Sequence, residues 1–222
     1  KKNIPRVVIG TLDPYPEVSG RGVARLKAAG VDVTVGVESD ACLQLNKSFF
    51  TFFTKQRPYV ILKWAQTRNG FIDYKREPGS SASPLIISSP FTRMLTHKLR
   101  SENDVILVGT RTALLDNPKL NVRDWSGNTP VRAVVDRNLV LDEGLNLFDG
   151  AIPTLVFTEK AKNDMPGVSY ITIDFENVVS NLLNWLYQNN YQRLLVEGGA
   201  LLHEAFLKDG LWDEIHVETS EV

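Results

Sequence analysis

The stretch Leu194–Phe206, LLVEGGALLHEAF, indicates how this chain folds. An apolar run ends at Glu197, two glycines follow at Gly198 and Gly199, and an amphipathic helical pattern starts directly after them. We therefore expect a strand, a tight turn and the first turn of a helix. The free N–H groups and the positive dipole end of such a helix favour a bound anion. The alternative is that the glycines serve only a tight connection that needs a positive φ angle.

The composition limits the class of protein. The 222 residues carry a net charge of -1, with 43% hydrophobic and 23% charged residues, as in ordinary soluble globular proteins. This charge balance argues against a nucleic-acid or membrane surface. The sequence shows no long apolar span and no signal peptide, so a cytoplasmic protein is expected. Because Cys42 is the only cysteine and the three histidines are dispersed, neither a disulfide framework nor a zinc site is expected.

Strands and helices alternate along the chain, which predicts an α/β fold whose sheet is mainly parallel and flanked by helices. From Pro58 onward the predicted strands are Pro58–Thr67, Asp104–Thr110, Val131–Asp136, Pro153–Thr158, Arg193–Glu197 and Asp213–Val222. Helices are predicted at Ser88–Arg100, at Glu176–Asn190 and after Gly199. The residues before Pro58 are predicted to form a β-α-β-α unit, with elements at Pro5–Gly10, Gly22–Gly30, Val31–Val37 and Ser39–Phe53.

Polar side chains collect where the predicted strands end, which is where open α/β sheets bind ligands. Lys63 lies inside an apolar strand, and lysine is seldom buried without a partner, so either it has a role or its strand is an edge facing water. Glu197, which ends another strand, is a natural partner for it. Arg100 could merely cap the carbonyl end of its own helix. His97 and His203 are predicted on exposed helix faces.

Four stretches together resemble a known family. They are RVVIGTLDPYPEVSGRGVARLKAAGVDVTVGV, RPYVILKWAQTRNG, LRSENDVILVGTRTALLDNPKLNVR and LLVEGGALLHEAFLKDGLWDEIHV. They look like the bifunctional deaminase-reductase of riboflavin biosynthesis, and the similarity runs over nearly the whole chain. The blocks VGTxTxxxDNPxLxVR and VEGG are its specific parts.

That family joins an N-terminal zinc-dependent pyrimidine deaminase domain to a C-terminal reductase domain that resembles dihydrofolate reductase. The resemblance implies that residues 1–57 are the C-terminal part of a cytidine-deaminase-like domain. Residues 58–222 are then the reductase domain, which is expected to lack its last strands. Such deaminases need a His-x-Glu and a Pro-Cys-x-x-Cys motif to hold zinc. This sequence has neither motif, so zinc and the diaminohydroxyphosphoribosylaminopyrimidine deaminase activity are expected only in a full-length protein.

The resemblance further implies an NADPH-dependent 5-amino-6-(5-phosphoribosylamino)uracil reductase, which turns the ribosyl group into a ribityl chain. Lys63 falls near the sugar, where it would polarise or protonate it as the catalytic residue. The implied substrate-binding residues are Arg100, Leu120, Arg123 and Glu197. The implied cofactor-binding residues are Gln66, Ile86, Thr112, Asp116, Arg137, Gly199, Ala200, Leu201, Leu202, His203, Glu204 and Ala205. Of these, Gly199–Ala205 would hold the pyrophosphate at a helix start, and Arg137 would bind the 2′-phosphate.

Two positions depart from the family pattern. Asn69 stands where the family often has Asp, and Ile86 stands where it often has Trp, with Pro84 before it. Both departures fall in the loop that the resemblance places at the cofactor.

Two other functions compete with the reductase. A pterin reductase like dihydrofolate reductase would need a buried acid on the first helix of its domain, and SSPFTRMLTHKLR contains none. A non-catalytic nucleotide-binding module is the second alternative, and turnover of NADPH with the phosphorylated substrate would separate it from an enzyme. The expected partner is a small phosphorylated pyrimidine, with neither nucleic acid nor membrane, and a homodimer is an open alternative.

Overall fold

The computed structural model describes residues 4–15, 18, 20–79 and 82–220. The chain divides into two compact units, Lys1–Tyr59 and Val60–Val222. In its described residues no helix is both long enough and apolar enough to cross a membrane.

The first unit contains a parallel strand pair and short helices. Its strands β1 and β2 are Arg6–Ile9 and Asp32–Val35, and its helices α1, α2 and α3 are Arg21–Ala28, Ser39–Leu45 and Lys47–Lys55. The predicted single helix over Ser39–Phe53 is therefore wrong. The helix is interrupted at Asn46, whose side-chain amide donates to the carbonyl of Cys42 at 3.2 Å. Asparagine side chains compete with the helix backbone for hydrogen bonds in this way.

The second unit is built on one large sheet. Its strands are β3 Tyr59–Thr67, β4 Val105–Gly109, β5 Val131–Val135, β6 Thr154–Thr158, β7 Val168–Thr172, β8 Arg193–Gly198 and β9 Glu214–Ser220. Its helices are α4 Pro90–Ser101, α5 Thr110–Asp116, α6 Val178–Gln188 and α7 Ala200–Asp209, with a short 3-10 helix at Asn146–Phe148. The described strands are ordered β7-β6-β5-β4-β8-β3-β9. The pairs β3–β9, β4–β5, β4–β8, β5–β6 and β6–β7 are parallel, so the predicted α/β fold with a mainly parallel sheet is confirmed.

Apolar periodicity explains the core of this unit. Central strands read as continuous apolar runs, such as VILVG in β4, because both faces of a parallel sheet are covered. Helix α6 buries one face against the sheet through Val179, Leu182, Leu183 and Leu186, as its helical spacing predicts. Helix α4 starts where expected, since the Ser89 hydroxyl accepts the N–H of Thr92 and Pro90 occupies the first turn.

Strand β7 is missing from the predicted set. It lies at one edge of the described sheet and pairs only with β6 there. Its sequence VSYIT mixes polar and apolar residues, and Ser169 and Tyr170 are only half-buried. Its strand conformation depends on pairing with β6, and sequence periodicity does not record such pairing.

The strand order places a crevice between β4 and β8. The chain runs from β4 through β5 and β6 to β7 on one side, and then returns to insert β8 between β4 and β3. Open α/β sheets bind ligands beyond the carboxyl ends of the strands at such a reversal. The ends of these two strands therefore mark the expected site.

Arg132 on β5 is fully buried, and its guanidinium nitrogens all have acceptors within the segment that follows β5 or at the start of β6. The guanidinium donates to Thr154 Oγ1 at 3.0 Å, to the carbonyls of Asn146 at 2.6 Å and Ile152 at 2.7 Å, and to Asp149 Oδ1 at 2.7 Å. It therefore fixes the segment between β5 and β6. The Arg132 guanidinium lowers the pKa of Asp149 through their hydrogen bond.

We expect Arg132→Leu to lower the free energy of unfolding by about 3 kcal/mol, because buried carbonyls would lose their donors. Urea denaturation measures this value. The control is Lys98→Ala, which removes an exposed ion pair with Glu102 and should cost no more than about 0.5 kcal/mol. A loss below about 1 kcal/mol in Arg132→Leu would contradict the prediction.

Candidate functional site

A cleft of about 1410 Å³ opens at the crevice in the second unit. It is larger than a typical site for one small ligand, so two ligands can lie side by side in it. Most of the predicted site residues line it together: Lys63, Ile86, Arg100, Thr112, Asp116, Leu120, Arg123, Glu197, Gly199, Ala200, Leu201, Leu202, His203 and Ala205.

The glycine pair allows two helices to begin close together in this cleft. Strand β8 ends at Gly198 with φ +124°, a cis peptide joins it to Gly199, and Gly199 caps α7 without a side-chain hydrogen bond. A Cβ atom on Gly199 would lie 2.9 Å from Thr112 Oγ1 on α5, so a side chain there would collide with that helix. The first turns of α5 and α7 therefore both face the cleft, and their N–H groups suit an anion.

Arg100 and Glu197 form a bidentate ion pair that lines the same cleft. Arg100 Nε and Nη2 donate to the two oxygens of Glu197 at 2.6 Å each, and both side chains are only 12–13% exposed. Arg100 Nη1 also donates to the carbonyl of Asn121 at 3.0 Å. The interpretation of Arg100 as a cap of its own helix is therefore wrong, because its donors all point to other segments.

Burial alone would raise the pKa of Glu197, but the charge of Arg100 and its hydrogen bonds outweigh burial and lower that pKa. Burial alone would likewise lower the pKa of Arg100, and the Glu197 carboxylate raises it instead. The pair is thus charged on both sides, as expected for a well-satisfied buried ion pair.

Lys63 projects from β3 into the same cleft and is half-buried. Among the described residues it has no hydrogen-bond partner, although its charge lowers the pKa of both Glu197 and Glu218. The Glu218 oxygens on β9 instead accept the hydroxyls of Ser88 and Thr92 at 2.6 Å each. The expected hydrogen-bonded partnership of Lys63 with Glu197 is replaced by the Arg100–Glu197 pair, so the ammonium is available to a ligand.

The segment after α5 brings Leu120 and Arg123 to the cleft. Leu120 is buried and has φ +46°, which is unusual for a branched side chain and marks a locally constrained backbone. The Arg123 side chain is 55% exposed, and its Nη1 donates to Asn121 Oδ1 at 3.1 Å. Its guanidinium is therefore held loosely at the mouth of the cleft.

The prediction that His97 and His203 face solvent is wrong, since they are 3% and 6% exposed. Tertiary contacts cover both rings: His97 contacts the segment of Arg123, and the His203 ring centroid lies 5.2 Å from that of Trp64. His203 Nε2 donates to the carbonyl of Val196 at 3.1 Å, and burial lowers its pKa. Burial also lowers the pKa of His97, and the cations of Arg100 and Arg123 lower it further.

Arg76 is a cleft residue that the sequence analysis missed. It comes from a polar loop, yet it is only 5% exposed, and it bridges Asp73 and the predicted cofactor residue Asp116, whose Oδ1 lies 2.5 Å from its Nη2. Asp73 Oδ1 also accepts the N–H of Leu85 at 2.9 Å. No local pattern marks Arg76, because its partners on α5 are distant in sequence. Residues 80 and 81 of this loop lie outside the described part of the chain.

Three predicted cofactor residues do not line the cleft. Gln66 accepts the indole N–H of Trp64 at 2.8 Å. Arg137 pairs with Glu159, Nε to Oε2 at 2.8 Å, and its guanidinium lies 5.5 Å from the ring of Phe175, which does line the cleft. Glu204 lines a neighbouring groove of about 580 Å³.

Within the described ranges no cluster of three or more His, Cys, Asp or Glu side chains could hold a metal ion.

Comparison with known proteins identifies the family. The model of the RibD C-terminal domain matches residues 58–219. The chain belongs to the RibD C-terminal domain family. Relatives named riboflavin biosynthesis protein RibD include that of Aquifex aeolicus, 37% identical over 98% of this chain and 61% of its own length. The RibD of Bacillus amyloliquefaciens is 34% identical over 97% of this chain and 60% of its own length. The chain therefore spans about three-fifths of the length of these RibD relatives.

Solved RibD structures agree with this family. The deaminase/5-amino-6-(5-phosphoribosylamino)uracil reductase of Thermotoga maritima superposes with a TM-score of 0.84 at 34% identity, covering 99% of this chain and 60% of that one. Form 1 of Acinetobacter baumannii RibD gives 0.82 at 28% identity, covering 98% and 61%. The Saccharomyces riboflavin biosynthesis reductase Rib7 gives 0.57 at 24% identity over 80% of this chain and 83% of that one, which is a likeness of fold alone. The predicted family and fold class are confirmed.

We expect the two buried histidines to make the chain less stable in acid. Because burial lowers the pKa of His97 and His203 in the folded state, the unfolded state binds more protons as pH falls through the ordinary histidine value of about 6.5. We expect the free energy of unfolding to fall between pH 7 and 5, by up to about 1.4 kcal/mol per pH unit for each group that titrates.

Urea denaturation across this range measures the slope. His203→Gln, whose amide can donate to the Val196 carbonyl in place of Nε2, should reduce the slope. An unfolding free energy that stays constant or rises as the pH falls to 5 would show that the histidines are not held neutral.

Proposed function

We propose that this chain carries the reductase activity of the RibD family, the NADPH-dependent conversion of 5-amino-6-(5-phosphoribosylamino)uracil to the ribitylamino compound. The observation that supports it most is that one cleft contains Lys63, which has no hydrogen-bond partner among the described residues, and the N-termini of α5 and α7. The Thermotoga maritima relative, described as such a reductase, supports the same conclusion. The proposal extends to residues 1–57 as the C-terminal part of a deaminase domain and to 58–222 as the reductase domain.

The cofactor half of the cleft would be formed by the first turns of α5 and α7. Here Thr112 lies against Gly199, and no acidic side chain occupies the first turn of either helix. A pyrophosphate fits such a place because backbone N–H groups and helix dipoles stabilise its charge. Bound NADPH would supply the hydride.

The substrate half would be formed by Lys63, the Arg100–Glu197 pair and Arg123. With its sugar opened to an imine, the substrate gains a hydride at its first carbon and a proton at the adjoining nitrogen. Lys63 is suited to deliver or direct that proton, because its ammonium has no hydrogen-bond partner among the described side chains. Arg123 at the cleft mouth suits the phosphate at the far end of the sugar chain, since guanidinium binds phosphate oxygens in a planar fork.

Arg137 is proposed to bind the 2′-phosphate that distinguishes NADPH from NADH. Its ion pair with Glu159 is solvent-exposed, with side chains 58% and 42% exposed. Exposed pairs are weak, so Arg137 can exchange Glu159 for a phosphate at the edge of the cleft. Its position against Phe175 keeps the guanidinium near that edge.

The activity is tested by following NADPH oxidation with the phosphorylated substrate. We expect Lys63→Ala to lower kcat by about 100-fold or more, as for loss of a general acid, with NADPH affinity unchanged. Arg123→Ala should raise the substrate KM about tenfold or more, and Glu197→Gln should lower kcat/KM, again with NADPH still bound.

The matched control for this series is Lys160→Ala, an exposed lysine outside the cleft. A wild-type chain that binds NADPH without oxidising it on this substrate would favour the non-catalytic alternative. Loss of NADPH binding in Arg123→Ala or Glu197→Gln, with substrate binding intact, would reverse the two halves of the cleft.

The cofactor preference is tested with Arg137→Ala. We expect the Kd for NADPH to rise about tenfold while the Kd for NADH stays constant, because only NADPH carries the 2′-phosphate. Fluorescence titration of both cofactors measures this. Arg111→Ala is the comparison, because it removes another arginine that lines the cleft. Any loss it causes should change the Kd values for NADPH and NADH by the same factor. Equal binding of the two cofactors by the wild type would refute the role.

A further inference from the structure

His97 makes contacts on both sides of its ring with the segment that carries Arg123. Its Nδ1 accepts the backbone N–H of Arg123 at 3.4 Å. Its Nε2 lies 3.2 Å from Asp124 Oδ2, and the same oxygen lies 3.6 Å from Arg123 Nε. The ring therefore contacts the backbone of Arg123 directly and its guanidinium through Asp124.

Helix α4 places this histidine beside Arg100. The two residues are three apart, so they share one face of the helix. Arg100 donates to the carbonyl of Asn121, and His97 accepts from the N–H of Arg123. The segment from 121 to 124 is thus attached to α4 at two backbone points, and its position depends on side chains that face the cleft.

These contacts need the neutral imidazole. Nδ1 can accept the Arg123 N–H only when it carries no proton, and then Nε2 carries the proton and donates to Asp124. The charged groups around the ring are Arg100 on its own helix, Arg123 and Asp124 on the facing segment, and Glu197 on β8. Burial and the two arginines outweigh the two acids and favour the neutral form.

We propose that His97 is a positioning residue that sets the place of the Arg123 guanidinium in the substrate half of the cleft, and that it acts in its neutral form. Protonation of Nδ1 would remove this acceptor and leave the segment attached to α4 at one backbone point, the Asn121 carbonyl bound by Arg100. The kinetic consequence rests on the proposed reductase function, whereas the structural consequence does not.

The structural part is tested by amide hydrogen exchange at Arg123 in the ligand-free chain. His97→Asn places an amide oxygen near the position of Nδ1 and should keep the Arg123 amide protected. His97→Leu offers no acceptor, so the Arg123 amide of this variant should exchange about tenfold faster than that of the wild type. His216→Leu, a half-exposed histidine outside the cleft, is the control and should exchange as the wild type does.

The kinetic part uses the same variants with NADPH and the phosphorylated substrate. His97→Leu should raise the substrate KM about tenfold, with kcat and NADPH affinity within about twofold of wild type, and His97→Asn should restore most of the loss. As pH falls from 7 to 5, KM should rise more steeply in the wild type than in His97→Asn. The substrate phosphate titrates equally in both, so the difference reports His97.

The two proposals fail in different ways. If the wild type does not reduce the substrate, the proposed function is wrong, and the exchange result still decides the role of His97. Unchanged exchange at Arg123 in His97→Leu would overturn the positioning role, as would equal losses in KM, kcat and NADPH affinity. If His97→Leu does not fold, His97→Asn decides: fast exchange at Arg123 in this variant overturns the role, and wild-type protection supports it.

Discussion

The ion pair of Arg100 and Glu197 holds together the segments that form the proposed substrate half of the cleft. It joins the last turn of α4 to the end of β8, and the third donor of Arg100 reaches the carbonyl of Asn121. Removing charges from water is costly, so a buried pair adds little net stability, but loss of either partner leaves an uncompensated charge. The pair therefore fixes how these three segments meet.

The same pair determines which charges a ligand meets. Both oxygens of Glu197 accept from Arg100, and Lys63 lies near enough to lower the pKa of this carboxyl without a hydrogen bond to it. The cleft thus offers the Lys63 ammonium, without a hydrogen-bond partner among the described residues, and, at its mouth, a loosely held guanidinium on Arg123. The same cleft contains the helix starts brought together by the close approach of Gly199 to Thr112. Side-chain cations and backbone N–H groups are both groups that suit anions, which is the basis of the proposed substrate and cofactor halves.

The polar networks around the cleft keep its loops in place. Arg76 ties its loop to Asp116 on α5, and His97 ties the segment of Arg123 to α4. Each network satisfies a buried polar group and at the same time orients a residue that faces the cleft. Stability and preorganisation of the site therefore depend on the same hydrogen bonds, and substitutions in these networks act on both.

The sequence alone determined most of the strands and helices, the mainly parallel sheet and the family. Apolar runs and helical spacing report local burial, and the EGG turn is a local feature, so these predictions needed no tertiary information. The structure decided that His97 and Arg76 are buried, that Arg100 pairs with Glu197, that the helix breaks at Asn46 and that β7 exists. All but the break depend on contacts between separate segments of the chain, and the break lies at Asn46, whose side-chain amide donates to the Cys42 carbonyl. Periodicity records which face of an element is buried, but the partner of a polar side chain is fixed only when the distant segments pack.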